Sequence, residues 1–185
     1  MYYIDTSILI SYVFTSESAH RASQEVLESI VAEEHRLYAS SFTLAEMCNT
    51  ICRKIVKEKK WKLIEPLQEY VDVYRGVEEK CRFLQSLIVS FLREKLGIEF
   101  VDEEDFYRFV LTGLNELKMP RVFKDSIDLS SRLGIRIKDL LHLVYASMIS
   151  KIHNIKYFLT RDIEDFEKVK DRVKRLLQIE IVLIK

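Results

Sequence analysis

Five short runs of β-forming residues, separated by longer stretches of helical periodicity, set the tightest limit on what this chain can become. They are YYI near the start, RLYAS at 36–40, IEFV at 98–101, KYFLT at 156–160 and IEIVLI at 179–184. Strands that alternate with helices predict an α/β domain built on a mostly parallel sheet. YYI, KYFL and IEIVLI read as strands covered on both faces. Four Gly and two Pro are too few for a β-rich fold full of tight turns. The 185 residues fit one domain, and no repeat, low-complexity tract or Ser- or Gly-rich linker divides them.

The first, second and fourth runs each end in a polar cluster: Asp5-Thr6-Ser7, Ser40-Ser41 and Thr160-Arg161-Asp162. In open parallel sheets ligands bind beyond the carboxyl ends of the strands, so these clusters fall where a site belongs. Each acid also has an ordinary structural use. Asp5, Thr6 and Ser7 all suit a helix cap, and Thr43 with Glu46 has the spacing of a capping box. Asp139, leading the apolar helix DLLHLVYASM, can interact with that helix's dipole. Asp162 and Asp165, three apart, suit an N-cap and a first turn. His142, one turn after Asp139, reads as a packed or hydrogen-bonded residue rather than a ligand.

Taken together, the acids say more. Several carboxylates in one pocket repel unless a cation joins them, and burying Asp139 without a partner is costly. Oxygen donors without a His-rich or Cys-rich pattern favour Mg2+ or Mn2+ over zinc. Such ions activate water and stabilise charge during phosphodiester cleavage.

Leu63, Leu67, Tyr70, Tyr74, Val77, Cys81, Leu84, Ile88 and Phe91 step by threes and fours, a period that predicts a helical seam over 63–91. Pro66 suits its first turn and Gly97 its stop. Two uses are open for it, an intramolecular hairpin and a dimer interface. The run RKIVKEKKWK at 53–62 is the most basic, and Lys59, Lys60 and Trp61 could contact phosphate and stack on a base; a solvated helix face is the better reading, since exposed Lys is ordinary and Glu58 interrupts the run. With 29 acids against 29 bases, no basic coat covers the chain. Cys48, Cys52 and Cys81 match neither a metal spacing nor a disulfide framework and predict reduced thiols. An absent secretory signal and the lack of a ~20-residue apolar run predict a cytoplasmic protein with no membrane span.

The IDTSILI, TLAE, GIRIKDLLHLVYA and TRDIEDF stretches, in that order, resemble the PIN-domain family, especially the VapC-type ribonucleases of toxin–antitoxin modules. The resemblance covers both ends of the chain but not 50–95. It implies a three-layer α/β/α sandwich around a parallel five-stranded sheet, as one domain over 1–185 with a helical elaboration at about 53–96. It assigns the catalytic acids to Asp5, Glu46, Asp139 and Asp162, with Asp5, Asp139 and Asp162 as metal ligands. Thr6, Ser7, Thr160 and Asp165 are accessory, and Arg161 would contact substrate phosphate or pair with an acid. It further implies Mg2+- or Mn2+-dependent cleavage of RNA, an antitoxin partner and a homodimer.

Two other readings stand beside it. One is a PIN-like scaffold that binds RNA or protein without cutting and dimerises through the helical elaboration. The other is a haloacid-dehalogenase-type phosphotransferase, which needs a second acid two residues after Asp5, where this chain has Ser7.

Overall fold

The computed structural model describes residues 1–58, 60–113 and 116–185. In chain order its elements are β1 (Tyr2–Ile4), α1 (Thr6–Val13), α2 (His20–Ala32), β2 (Leu37–Ser40) and α3 (Ser41–Lys57), followed by a single 3-10 turn at Leu67–Tyr70. Next come α4 (Val77–Leu96), β3 (Glu99–Val101), α5 (Glu104–Tyr107), β4 (Phe109–Leu111), β5 (Lys118–Pro120) and α6 (Arg121–Leu133). The chain finishes with α7 (Ile137–His153), β6 (Tyr157–Thr160), α8 (Ile163–Phe166), α9 (Lys170–Leu177) and β7 (Glu180–Leu183).

All five expected strands form, and they pair in the order β3-β2-β1-β6-β7 with every neighbour parallel. Successive residues of a strand point to opposite faces, and the core divides accordingly. Ile4, Leu37, Ala39 and Leu159 pack with Ile8, Leu27, Met47, Ile51, Leu84 and Ile88, from the α1–α4 layer. Tyr3, Tyr38, Phe158 and Ile181 pack with Val122, Leu143, Phe166 and Val173, from the α6–α9 layer. The result is the three-layer sandwich. IEIVLI, expected to be covered on both faces, lies instead at the sheet edge, where Glu180 is exposed and Val182 and Leu183 are half-buried.

The helical period over 63–91 is realised in part. Gly76 sits at the N-cap of α4, so the helix begins at Val77 rather than near Pro66. Cys81, Leu84, Ile88 and Leu92 are buried on the protein's own core, which makes this half of the seam intramolecular. Upstream, Tyr70, Val73, Tyr74 and Val77 are exposed. Gly97 closes the helix in the left-handed region (φ 63°), where glycine carries no Cβ penalty. The antiparallel hairpin β4–β5 is an addition the sequence did not announce, because its three-residue strands are too short to show alternation.

The three cysteines are free, and burial pushes the Cys52 thiol up to about 12. Among the described residues no helix is long and apolar enough to cross a membrane.

Candidate active site

β1 lies at the centre of the sheet, with β2 on one side and β6 on the other. The chain leaves β1 toward β2 and β3 and returns later to build β6 and β7, so the strand order reverses there. A crevice opens at the carboxyl ends of strands at such a reversal. Asp5 follows β1, and Thr160 ends β6 with Arg161-Asp162 after it, Ile4 standing opposite Leu159 in the register. A cavity of about 240 Å³ opens between them, and Asp5, Glu46 and Asp162 line it together with Glu17, Lys54 and Arg161.

Asp5 is buried and tightly oriented. The Thr160 hydroxyl donates to its Oδ2 at 2.6 Å and the Ser7 hydroxyl to the same oxygen at 2.9 Å. The Asp162 backbone N–H donates to Thr160 Oγ1 at 3.1 Å. One hydroxyl therefore ties the ends of β1 and β6 together. Asp5 also serves as the N-cap of α1 and Asp162 as that of α8, so the structural reading of these acids is correct as well. Thr6 also lines the cavity, its hydroxyl within reach of the Thr43 carbonyl at 3.4 Å and of the Glu46 carboxylate.

Glu46 departs from its expected cap. Ser40 is the N-cap of α3, accepting from the Thr43 N–H at 3.2 Å. Glu46, free of that duty, pairs with His142, Oε2 to Nε2 at 2.9 Å. This hydrogen bond holds the Glu46 carboxyl down at about 2, against burial that pushes it up. His142 is itself buried, its Nδ1 facing the Tyr3 hydroxyl at 3.2 Å, which also meets Ser40 and Thr43 at 2.8 Å each. An ionised carboxylate only accepts, so Nε2 is the donor to Glu46.

The acids form two groups rather than one. Asp5, Glu46 and His142 offer ligand atoms within 4.8 Å of one another, and so do Asp139, Asp162 and Asp165. Asp165, which ranks as accessory from sequence, stands among the principal acids by position. His142, which reads as a packing residue, is hydrogen-bonded as expected and also belongs to a potential ligand set. Burial, and then the hydrogen bond to Asp165, push Asp139 up to about 6. Arg136, one turn before Asp139, bridges the second group: its Nε lies 3.1 Å from Asp139 and 2.5 Å from Asp165, and its Nη2 pairs with Asp162.

The donor chemistry fits a hard divalent cation. The second group supplies only carboxylate oxygens, and the arginine threaded among them shows that the position already demands positive charge. The sequence pattern did not reveal Arg136; its three-residue spacing from Asp139 was the available signal.

The expected basic contacts fare unevenly. Lys59 lies outside the described residues. Lys60 is exposed and does not line the cavity, and Trp61 packs edge-on against Phe14 at 6.3 Å. Arg161 lines the cavity and pairs with Glu17 at 3.2 Å, the acid-pairing outcome of its two readings. From the same basic run, Arg53 and Lys54, which were not singled out, do line the cavity, and Glu17 was not anticipated at all.

Comparison with known proteins places these features in context. The PIN domain profile matches residues 2–172. A chain in the crystal structure of VapBC2 from Rickettsia felis, bound to a DNA fragment from its promoter, superposes with a TM-score of 0.52 at 17% identity. That match covers 100% of this chain and 98% of the other. The tRNA:m(4)X modification enzyme TRM13 of Scheffersomyces stipitis is 26% identical over 144 residues, 75% of this chain. The present chain spans only 31% of that protein's length.

Proposed function

The chain belongs to the PIN domain family, a family of nucleases, and on that premise we propose that it is a divalent-metal-dependent endoribonuclease. The observation that carries the reading is the meeting of Asp5 and Glu46 with Asp162 around one cavity at the reversal of strand order, with Asp139 and Asp165 beside them. The expected ligands Asp5, Asp139 and Asp162 divide between the two groups, so Mg2+ or Mn2+ would be held by Asp5 with Glu46, directly or through water, and by Asp139 with Asp162 and Asp165. A bound ion would supply an activated water and neutralise charge on the scissile phosphate.

The protein's own groups do the positioning. Thr160 and Ser7 hold the Asp5 carboxylate in one orientation, and the Tyr3–His142 pair aims Glu46. Outer partners of this kind tune a ligand about 10- to 100-fold in metal affinity or activity. Single-stranded or looped RNA suits the cavity, because an unpaired backbone enters a narrow cleft that a duplex does not.

The likeness to a chain of VapBC2 supports extending the proposal to a toxin role with an antitoxin partner. The tRNA enzyme relative supports RNA as the substrate class. Homodimerisation belongs to the proposal too, and its surface is argued below.

A non-cleaving scaffold has one observation in its favour: Arg136 neutralises three of the acids. The two readings part in a cleavage assay with Mn2+ or Mg2+ on single-stranded RNA. The nuclease reading expects cleavage that stops with chelator and falls at least a hundredfold in both Asp5→Asn and Asp139→Asn. Undiminished cleavage in both variants rejects the site assignment, and no cleavage with any divalent ion favours the scaffold.

A further inference from the structure

Two cations on the basic wall of the cavity, Lys54 and Arg161, pair with Glu17 and Glu58 rather than with the candidate metal-binding acids, and what they recognise depends on the ribonuclease reading. Lys54 projects from the last turn of α3, its side chain only 8% exposed, with its ammonium 2.6 Å from Glu17 Oε1 and 2.9 Å from Glu58. The same ammonium lies 5.3 Å from the centre of the Phe14 ring. Arg161 approaches the second oxygen of Glu17 at 3.2 Å and also bonds Ser11 and Ser18. One carboxylate is thus clasped by a separate cation at each oxygen.

A phosphodiester presents the same pattern, two oxygens sharing one negative charge. We propose that Lys54 and Arg161 form a subsite for a backbone phosphate of single-stranded RNA, and that Glu17 occupies it as an internal substitute until RNA arrives.

Three features support this over a purely structural ion pair. Both cations line the cavity that Asp5, Glu46 and Asp162 also line, so a strand running from one set to the other stays within one cleft. The cations are anchored and the carboxylate is not: Lys54 lies within a helix, and the Arg161 backbone N–H donates to Ser7 Oγ at 3.1 Å, the hydroxyl that also orients Asp5. Glu17 instead sits in the turn between α1 and α2, with a side chain 23% exposed, and can swing into water. Finally, Arg53 and Lys138 line the same cavity and extend its positive wall. Withdrawing a buried ammonium from water is costly unless an anion always meets it. Glu17 and Glu58 meet it in the free protein, and in the complex phosphate takes the place of Glu17 while Glu58 stays.

The test is RNA binding by fluorescence anisotropy, using a 5′-labelled single-stranded oligouridine and the full chain in chelator, over a range of KCl. Glu17→Gln should tighten binding about tenfold, the size of one freed charge-assisted contact. It should also steepen the salt dependence by roughly 0.7 in log–log slope, one phosphate's worth for single strands. Arg161→Gln and Lys54→Met should each weaken binding and cancel the gain when combined with Glu17→Gln. Should Lys54→Met fail to fold, Lys54→Gln and Arg161→Gln carry the comparison.

A folded Glu17→Gln protein with unchanged affinity and slope overturns the subsite. So does a protein that cleaves RNA with Mn2+ while none of these variants alters binding, an outcome that leaves the ribonuclease reading standing. The converse, the predicted binding shifts without cleavage by any divalent ion, keeps the subsite and removes the nuclease.

Discussion

At the scale of single residues, most of the site was written in the sequence, because carboxylates at strand ends are recognisable without coordinates. What was hidden is which acid answers to which partner. Glu46 has the spacing of a cap, but a closer acceptor, Ser40, takes the Thr43 N–H, and a histidine nearly a hundred residues away claims the glutamate. Lys54 gave no sign of itself, since one lysine in a basic run is indistinguishable from its exposed neighbours until the helix is placed. Arg136 has the clearest consequence. Its guanidinium stands among Asp139, Asp162 and Asp165, where the proposed cation would bind, so arginine and metal would compete for the same oxygens. Arg136→Gln should therefore bind Mn2+ several-fold more tightly, measured by titration calorimetry at low ionic strength. Equal or weaker binding by a folded variant shows that the arginine does not oppose the metal.

Elements were legible where local pattern and burial agree. Each run of the central sheet formed, the inner strands β1, β2 and β6 because they are apolar enough to be buried between layers, while the edge strands β3 and β7 stay partly exposed. The long seam was overread, because a heptad-like period continues through Gly76 although the helix does not. Residues 70–77 keep the spacing without the burial. The two halves of that period should behave differently when mutated. Leu84→Ala, at a fully enclosed position, is expected to cost about 2–5 kcal/mol. Val77→Ala, at the exposed start of α4, should stay within about 0.5 kcal/mol. Urea unfolding of both variants checks the contrast, and comparable losses would mean that the 70–77 stretch is packed in solution.

Considering the whole molecule, sheet order and layering followed from the alternation of strands and helices, whereas surfaces for partners did not, because exposure depends on the finished fold. The dimer expected of the helical elaboration loses the Cys81–Ile88 face to the protein's own core. Exposed apolar side chains gather instead on and beside α6: Phe109, Leu111, Leu117, Phe123 and Ile127. Such side chains on regular elements suit self-association better than those of the irregular 70–76 stretch, since less order must be imposed on binding. Sedimentation velocity should accordingly show a dimer that Phe123→Lys with Ile127→Lys dissociates, while Tyr70→Lys with Tyr74→Lys does not. The reverse outcome returns the interface to the elaboration.

The sheet also carries a message about timing. Its central strand is paired with a neighbour whose threonine, 155 residues away in sequence, locks Asp5 in place. Pairings between such distant segments form later than local helices, because a long loop must close before they are rewarded. The candidate acids therefore converge only when that parallel pairing closes, and the helices around them can form before the crevice does.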